Sequence, residues 1–451
     1  MLESKFSEAF TQQFSQTKKE EQITVLIRTK QRMRGRQEAE LSLDQLMNEQ
    51  LATKRSHLLG QVQKRYGKGA EFCQNYQESR NRTQAKVMRA APKATNLWLA
   101  DTVAVTGTRD EIEELASHED IETIDINPTF RLPEILNTPL EDSPEIIDGS
   151  SWGLAKILAP EVWGGFGRGE NVLVGHLDTG VDDTHPALTG KIAAFEEFDS
   201  AGNPLGTAPN DSGSHGTHTA GTIVGRNFRG INIGVAPEAK LLSALVLNGF
   251  GGSYAQIVAG LQWVVAKGAH VVNMSLGGLG YSTLWNLPIL NATLSGSLVV
   301  ASIGNSGFGT SGGPGNDLYA LGVGATHYGD GPAGFSSGQT LIEVWHDVLS
   351  PFYGPLTYMK PDISAPGVQV LSSVPGSELA AFNGTSMAAP HVVGAIALLL
   401  SANPSLMGDP FAIRSILLGS IEDYGESGRD SRFGFGRLDA LTSSEIGVNV
   451  N

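Results

Sequence analysis

An aspartate, a histidine and a serine in this 451-residue chain each occupy a turn of small residues, in the order Asp178, His215, Ser386. Asp178 follows the apolar run Val172 to Leu177 and precedes Thr179-Gly180. His215 opens the segment His215-Gly216-Thr217-His218-Thr219-Ala220-Gly221-Thr222, and Ser386 lies in Asn383-Gly384-Thr385-Ser386-Met387-Ala388-Ala389-Pro390-His391. A serine hydroxyl is a poor nucleophile until a histidine takes its proton, and the histidine needs a carboxylate to fix its tautomer and stabilise the imidazolium. The three residue types so placed point to acyl transfer. The neighbours of Ser386 favour the same chemistry. A helix start leaves backbone N–H groups pointing outward at the positive end of the macrodipole, where developing negative charge is stabilised. Gly384 lets the chain approach closely, and Pro390 is expected in the first helical turn, where no donor is required. Taken alone, Ser386 reads as a capping serine on a core helix. The distant aspartate and histidine change that reading.

These residues must be held by a scaffold, and the second part of the chain reads as alternating strands and helices. The runs 172–177, 241–247, 271–274 and 298–303 are short and apolar, as strands buried on both faces are. Between them, residues 254–267 carry Ile257, Val258, Leu261, Val264 and Val265 on one helical face. The expected fold class is α/β, a doubly wound and mainly parallel sheet with its sites at the carboxyl ends of the strands. Ahead of it, residues 23–28 read as a strand, Leu43 to Tyr66 repeat at helical spacing, and 97–105 read as a strand. Thr108-Arg109-Asp110-Glu111 is a capping box opening a short helix, and 121–126 alternate like a closing strand. The expected organisation is a polar extension over 1–20, a small α+β domain over 21–131, a linker over 132–150 and the main domain over 151–451. The linker is proline-rich and acidic, a composition that is readily cut.

The order Asp, His, Ser with these flanking residues resembles the subtilisin-like serine proteases, over the stretch from about Trp152 to the end of the chain. The resemblance implies a serine endopeptidase in which Asp178 orients the base, His215 is general base and acid, and Ser386 is the nucleophile. It makes His218 a packed structural residue and Asn305, in Ile303-Gly304-Asn305-Ser306-Gly307, the side-chain donor to the oxyanion. Ser275, Leu276, Gly277 and Gly278 resemble the strand along the specificity pocket, and Gly251 and Gly252 the opposite wall. An extended peptide would pair with both edges. No acidic residue stands beside Asn305, so apolar or aromatic side chains are expected in the pocket. The first domain resembles the ferredoxin-like propeptide of these enzymes, which implies an intramolecular chaperone and inhibitor removed by autoprocessing within 132–150.

Other readings of the same residues fare worse. Asp178-Thr179-Gly180 with Asp211-Ser212-Gly213 imitates an aspartic protease dyad, but the two lie too close in sequence to come from separate lobes. His215 and His218 lack the glutamate of a zinc motif, and the single cysteine, Cys73, precludes an internal disulfide or a multi-thiolate zinc site. No cofactor is expected for catalysis. For a structural calcium the resemblance offers Asp148 as a candidate ligand, while Ala187 and Phe228 stand where the family carries side-chain oxygen donors. The formal charge is −15, and 20 of the 32 basic residues precede residue 150, so a basic nucleic-acid face is not expected. No run is read as a membrane span, and a monomer is expected. No secretory signal is visible at the start, which reads as cytoplasmic for the chain as it stands and as secreted for a trimmed form. A catalytically silent peptide-binding relative and a serine esterase are the competing functions. The intact set of site residues opposes the first, and the absence of a Gly-x-Ser-x-Gly elbow around Ser386 opposes the second.

Overall fold

A computed structural model describes residues 5–29, 69–91, 93–132, 143–249, 251–347, 349–350 and 354–450. The helical repeat expected from Leu43 to Tyr66 lies outside the described residues.

The chain begins with helix α1 (Glu8–Gln16), capped by Ser7, and strand β1 (Ile23–Thr29). There follow α2 (Gly69–Ala90), β2 (Ala94–Leu97), β3 (Thr102–Gly107), α3 (Arg109–Ala116) and β4 (Ile121–Ile126). The four strands form one antiparallel sheet in the order β2-β3-β1-β4, so the topology is the βαββαβ arrangement of ferredoxin-like domains. Residues 1–20, read as a polar extension, contain α1, whose Phe10 and Phe14 are buried in the same core as Val25, Ile27, Val103, Ile112 and Ile121. The capping box closes as its sequence implies: Thr108 N donates to Glu111 Oε2 at 2.7 Å, and Glu111 N to Thr108 Oγ1 at 3.5 Å. The single strand expected over 97–105 is instead broken. Trp98–Ala100 make a 3₁₀ turn and Asp101 adopts a left-handed conformation with φ 52°, because Trp98 and Leu99 leave the sheet to pack against the next domain.

The larger domain is built on β6 (Leu173–Asp178), β7 (Ile192–Glu197), β8 (Lys240–Leu245), β10 (Val271–Met274), β11 (Leu298–Ser302), β12 (Leu321–Thr326) and β13 (Ile363–Pro366). Between them in chain order, β5 (Thr129–Arg131) and β9 (Gly251–Ser253) stand apart as a two-stranded antiparallel ribbon. The seven strands run parallel in the order β13-β12-β11-β10-β6-β8-β7. The chain steps from β6 toward one edge and then back across to the other, so the topological switch lies around β6, and its carboxyl end is where a site belongs.

Period-2 alternation decides which residues face which layer. Val174, Val271, Leu298 and Val300 turn to one face, covered by α4 (His215–Val224) and α7 (Thr385–Ala402). Leu177, Val272, Val299 and Ala301 turn to the other, covered by α5 (Tyr254–Ala266) and α6 (Asn286–Leu294). Helix α7 spans 18 residues with mean hydropathy 1.5, long and apolar enough to cross a bilayer, contrary to expectation. In this fold 89% of it is buried within the protein, as befits a central core helix. The second face carries the first domain. Leu26, Leu97, Trp98, Leu99 and Ala104 share one continuous apolar cluster with Val258, Leu261 and Leu290, and burial of each large side chain there is worth about 1.5–3 kcal/mol.

Candidate active site

Asp178 is the last residue of β6, at the switch point, and is wholly buried. Helix α4 begins at His215 and is anchored by Asp211, which takes Thr217 N at 2.8 Å and the Thr179 hydroxyl at 2.6 Å. A carboxylate at a helix start meets the positive end of the dipole. These ties set His215 against β6, and its Nδ1 donates to Asp178 Oδ1 across 2.7 Å. The carboxylate also takes Thr179 N at 2.8 Å on Oδ1 and the Thr219 hydroxyl at 3.0 Å on Oδ2. Burial alone would raise the Asp178 carboxyl; the charge of His215 and these hydrogen bonds outweigh it and hold the group below the usual carboxylate range. An ionised acceptor on Nδ1 fixes the proton there and leaves Nε2 as the nitrogen with a free lone pair.

Ser386 is the second residue of α7, after Gly384, whose φ of 156° accompanies the sharp entry into the helix. Pro390 is the sixth helical residue, not part of the first turn, so it cannot supply an N–H to the Ser386 carbonyl. The Ser275 hydroxyl donates to that carbonyl instead, at 2.8 Å. The Ser386 hydroxyl in turn donates to the Ser275 carbonyl over a long 3.3 Å. The proline thus ties the helix start to the end of β10, where the residues 275–278 begin.

Asn305 follows β11. Its Oδ1 accepts from Thr385 N at 2.9 Å and from the Thr385 hydroxyl at 2.8 Å, which leaves Nδ2 as the free donor. A Cβ built on Gly384 would lie 3.2 Å from Asn305 Nδ2 and 3.6 Å from Ser386 N, so the two donors border one small space. Four segments far apart in the chain are thus tied in two pairs, Asp178 with His215 and, through Thr385, the start of α7 with Asn305.

A cleft of about 340 Å³ opens beside Asn305, lined by Leu276, Gly277, Gly278, Ser306 and Gly312. Its remaining wall comes from the chain itself, at Thr129, Phe130, Arg131 and Leu132. Strand β5 pairs antiparallel with β9, Phe130 opposite Gly252 and Arg131 opposite Gly251, while Arg131 also bridges to Gly277 on the other side. The residues expected to receive an extended peptide thus hold one, as the middle strand of three. A Cβ on Gly251 would lie 2.9 Å from the Phe130 carbonyl and one on Gly278 3.0 Å from the Phe130 ring, so the absence of side chains on both edges allows this close approach.

Three further histidines and serines need placing. His218 Nε2 points at the Val370 and Ala380 carbonyls, 2.9 and 3.1 Å away, and its ring stacks on Phe382. Burial depresses it to about 3, and it is a packing residue of α4. His176 and Ser243 form a second histidine–serine pair beside Asp178, 3.1 Å apart, but both are fully buried within the sheet and beyond the reach of a substrate. Sequence reading missed Thr219 and Asp211, which hold the aspartate and the helix start. The three polar side chains Thr217, Thr219 and Asp211 around one histidine were the available signal.

The calcium expectation meets an unsuitable chemistry. Asp148 is exposed and adopts φ 48°. The Ala187 carbonyl accepts Arg226 N, and the Phe228 ring packs edge-on against His185 with the Arg229 guanidinium 4.9 Å over its other side. Arg229 pairs with Glu378 at 3.0 Å. An apolar ring and a guanidinium stand where hard oxygen donors would be needed, and among the described residues no group of three or more His, Cys, Asp or Glu is arranged to hold a metal ion.

A parallel doubly wound sheet with this constellation at its switch point defines a serine hydrolase of the subtilase family, and the subtilase family model matches residues 169–436. The chain belongs to that family and is a serine endopeptidase. It is 37% identical over 317 residues to the alkaline protease of Alkalihalobacillus alcalophilus, covering 68% of this chain and 76% of the relative. It is 40% identical over 255 residues to subtilisin Savinase of Lederbergia lenta, covering 56% and 85%. Identity to subtilisin E of Bacillus subtilis (strain 168) is 37% over 259 residues, covering 56% and 62%.

Proposed function

We propose that Ser386 is the nucleophile, His215 the general base and then acid, and Asp178 the carboxylate that orients it, in hydrolysis of extended polypeptides. His215 Nε2 takes the Ser386 proton as Oγ attacks the peptide carbonyl carbon. The tetrahedral oxyanion is held by Asn305 Nδ2 and Ser386 N–H, and the imidazolium then protonates the leaving amine. The observation that carries this reading is the buried 2.7 Å bond from His215 Nδ1 to Asp178 at the switch point. Substrate lies as the middle strand between Gly251–Gly252 and Ser275–Gly278, and its side chain beside Asn305 is apolar, since no acidic residue lines the cleft.

The first domain serves as a built-in inhibitor of the same cleft and as a chaperone of folding, cut by the enzyme itself within 132–150. What supports this is the insertion of Thr129–Leu132 between both substrate-binding edges, and an interface with the apolar character of a core. A fluorophosphonate probe and casein separate the readings. Wild type is expected to take the label and digest casein, whereas Ser386→Ala does neither and keeps its full length. Labelling of Ser386→Ala would overturn the assignment of the nucleophile. A wild-type chain still intact after prolonged incubation while digesting casein would overturn autoprocessing.

A further inference from the structure

Behind Asp178, on the side away from His215, three buried polar side chains meet in what is otherwise apolar sheet and helix packing. His176 lies on β6 in register with Ser243 on β8. His176, Ser243 and Thr219 are all wholly buried. The ring Nδ1 is 3.1 Å from Ser243 Oγ, and Nε2 is 2.9 Å from Thr219 Oγ1. Thr219 Oγ1 in turn lies 3.0 Å from Asp178 Oδ2 and 3.2 Å from the Gly216 carbonyl. The direct distance from His176 Nε2 to Asp178 Oδ2 is 3.9 Å, too long for a hydrogen bond, so any influence passes through the threonine.

Proton counting fixes the direction of every bond. Thr219 has one hydroxyl hydrogen, and Asp178 and Gly216 can only accept. Turning that hydrogen to Gly216 would leave a buried carboxylate oxygen without this donor, a loss larger for a charged group than for a neutral one. The hydroxyl therefore donates to Asp178, and His176 must donate Nε2–H to Thr219. Burial keeps this imidazole neutral, its proton affinity depressed, so Nδ1 accepts from the Ser243 hydroxyl. The chain runs Ser243 to His176 to Thr219 to Asp178, each donor polarised by the one before it, and meets His215 on the other carboxylate oxygen. The ionisable groups facing His176 are Asp178 on its own strand, Asp211 in the loop before α4, and His215 on α4.

We propose that His176 is a positioning residue of the active site, acting through Thr219 to hold Asp178 in the orientation that His215 needs and to withdraw charge from it. This rests on the assignment of Asp178, His215 and Ser386 made above. Without the polarised donor, Asp178 keeps its bonds to Thr179 N and His215 on Oδ1 but loses the hydroxyl on Oδ2, so the carboxylate is less firmly oriented and more of its charge falls on the His215 side.

The test uses the full-length chain and the rate of fluorophosphonate labelling as a function of pH, with kcat and KM on an apolar peptide. His176→Val and Thr219→Val are each expected to slow labelling about tenfold, with KM little changed and the acid limb moved to higher pH. The double variant is no slower than the slower single one, because both cut the same chain. Thr219→Ser, which keeps the hydroxyl, and His176→Gln, which can place an N–H near Nε2, recover most of the rate. Wild-type rates and pH limbs in both valine variants overturn the proposal, as do losses that multiply in the double variant. Should His176→Val fail to fold, Thr219→Val reads the same link alone, since it removes a hydroxyl and almost no volume. Ser386→Ala separates the two levels. Persistent labelling there overturns the site assignment, whereas its loss beside unaffected valine variants overturns only the role of His176.

Discussion

Among the described residues two aspartates, Asp178 and Asp362, have no accessible surface, and they are kept ionised by opposite means. Asp362, beside β13, is surrounded by cationic side chains and one backbone N–H: Lys360 at 2.7 Å and Gly322 N at 2.8 Å on one oxygen, Arg414 at 2.7 Å and Arg429 at 2.9 Å on the other. Burial would raise its carboxyl, and the three cations outweigh that and hold it far below the usual range. Asp178 has no lysine or arginine bonded to it. Its partners are a histidine, a backbone N–H and a threonine hydroxyl. A fixed cation next to Asp178 would satisfy the carboxylate once and for all and leave nothing for an imidazolium to gain. A single imidazole, a backbone N–H and a hydroxyl hold this carboxylate ionised with no lysine or arginine bonded to it among the described residues, so in the proposed reaction the charge on His215 meets a partner not already compensated. Asp362 ties together segments that must not move, and Asp178 waits for a charge that comes and goes.

The difference is open to direct attack, beginning where the effect is largest. Asp178→Asn is expected to lower kcat by about 10⁴, since the amide neither stabilises the imidazolium nor enforces the tautomer. Melting temperature should move by no more than about 3 °C, because the neighbouring donors meet an uncharged isostere. Active-site titration and calorimetry measure the two, and a large drop in melting temperature would erase the contrast. Asp362→Asn should do the reverse. Leaving buried cations without their counter-charge is expected to cost about 3–5 kcal/mol of stability, with kcat per titrated site within about twofold of wild type. The pH dependence has a definite sign. The folded carboxyl is depressed below its unfolded value of about 3.9, so its contribution is complete above that pH and is lost as pH falls through the folded value. The stability gap between Ser386→Ala and the same chain with Asp362→Asn should therefore narrow below about pH 4. A gap constant with pH would mean that shape rather than charge is responsible. The smallest effect is Arg429→Gln, which removes the most exposed of the three cations, its side chain 28% accessible. Lys360 and Arg414 remain, so about 1 kcal/mol is expected by denaturant unfolding.

How much of this is written locally differs from segment to segment. The run 271–274 forms its strand with the expected ends, and residues 254–266 form the expected helix, because a buried parallel strand and a helix face each impose a short-range pattern on apolar residues. The capping box at Thr108 is similarly local. The strand expected over 97–105 broke at Trp98 because a bulky apolar side chain followed the larger buried surface of another domain rather than its own strand register. Pro390 was misplaced for a related reason. Its missing N–H is offset by Ser275, a residue 111 positions away from the carbonyl it serves, and no local rule anticipates that. His176 was visible as a lone imidazole in an apolar run, but its partners Ser243 and Thr219 lie 67 and 43 residues distant.

Residue types and their small-residue surroundings determined by themselves the chemistry this chain carries. A serine at a helix start, a histidine and an aspartate each announce a capacity that depends on functional groups alone. Only the tertiary structure decided which capacities are used, because proton transfer and charge stabilisation act over about 3 Å and demand a chosen orientation. Of the two histidines near one aspartate, His176 is hydrogen-bonded to Ser243 within the sheet, whereas His215 is bonded to Asp178 at the start of α4, and the Ser386 hydroxyl is bonded to the Ser275 carbonyl. The same folding laid Thr129–Leu132 between Gly251–Gly252 and Gly277, a placement that depends on two surfaces brought together by the sheet and that no spacing within the segment could express.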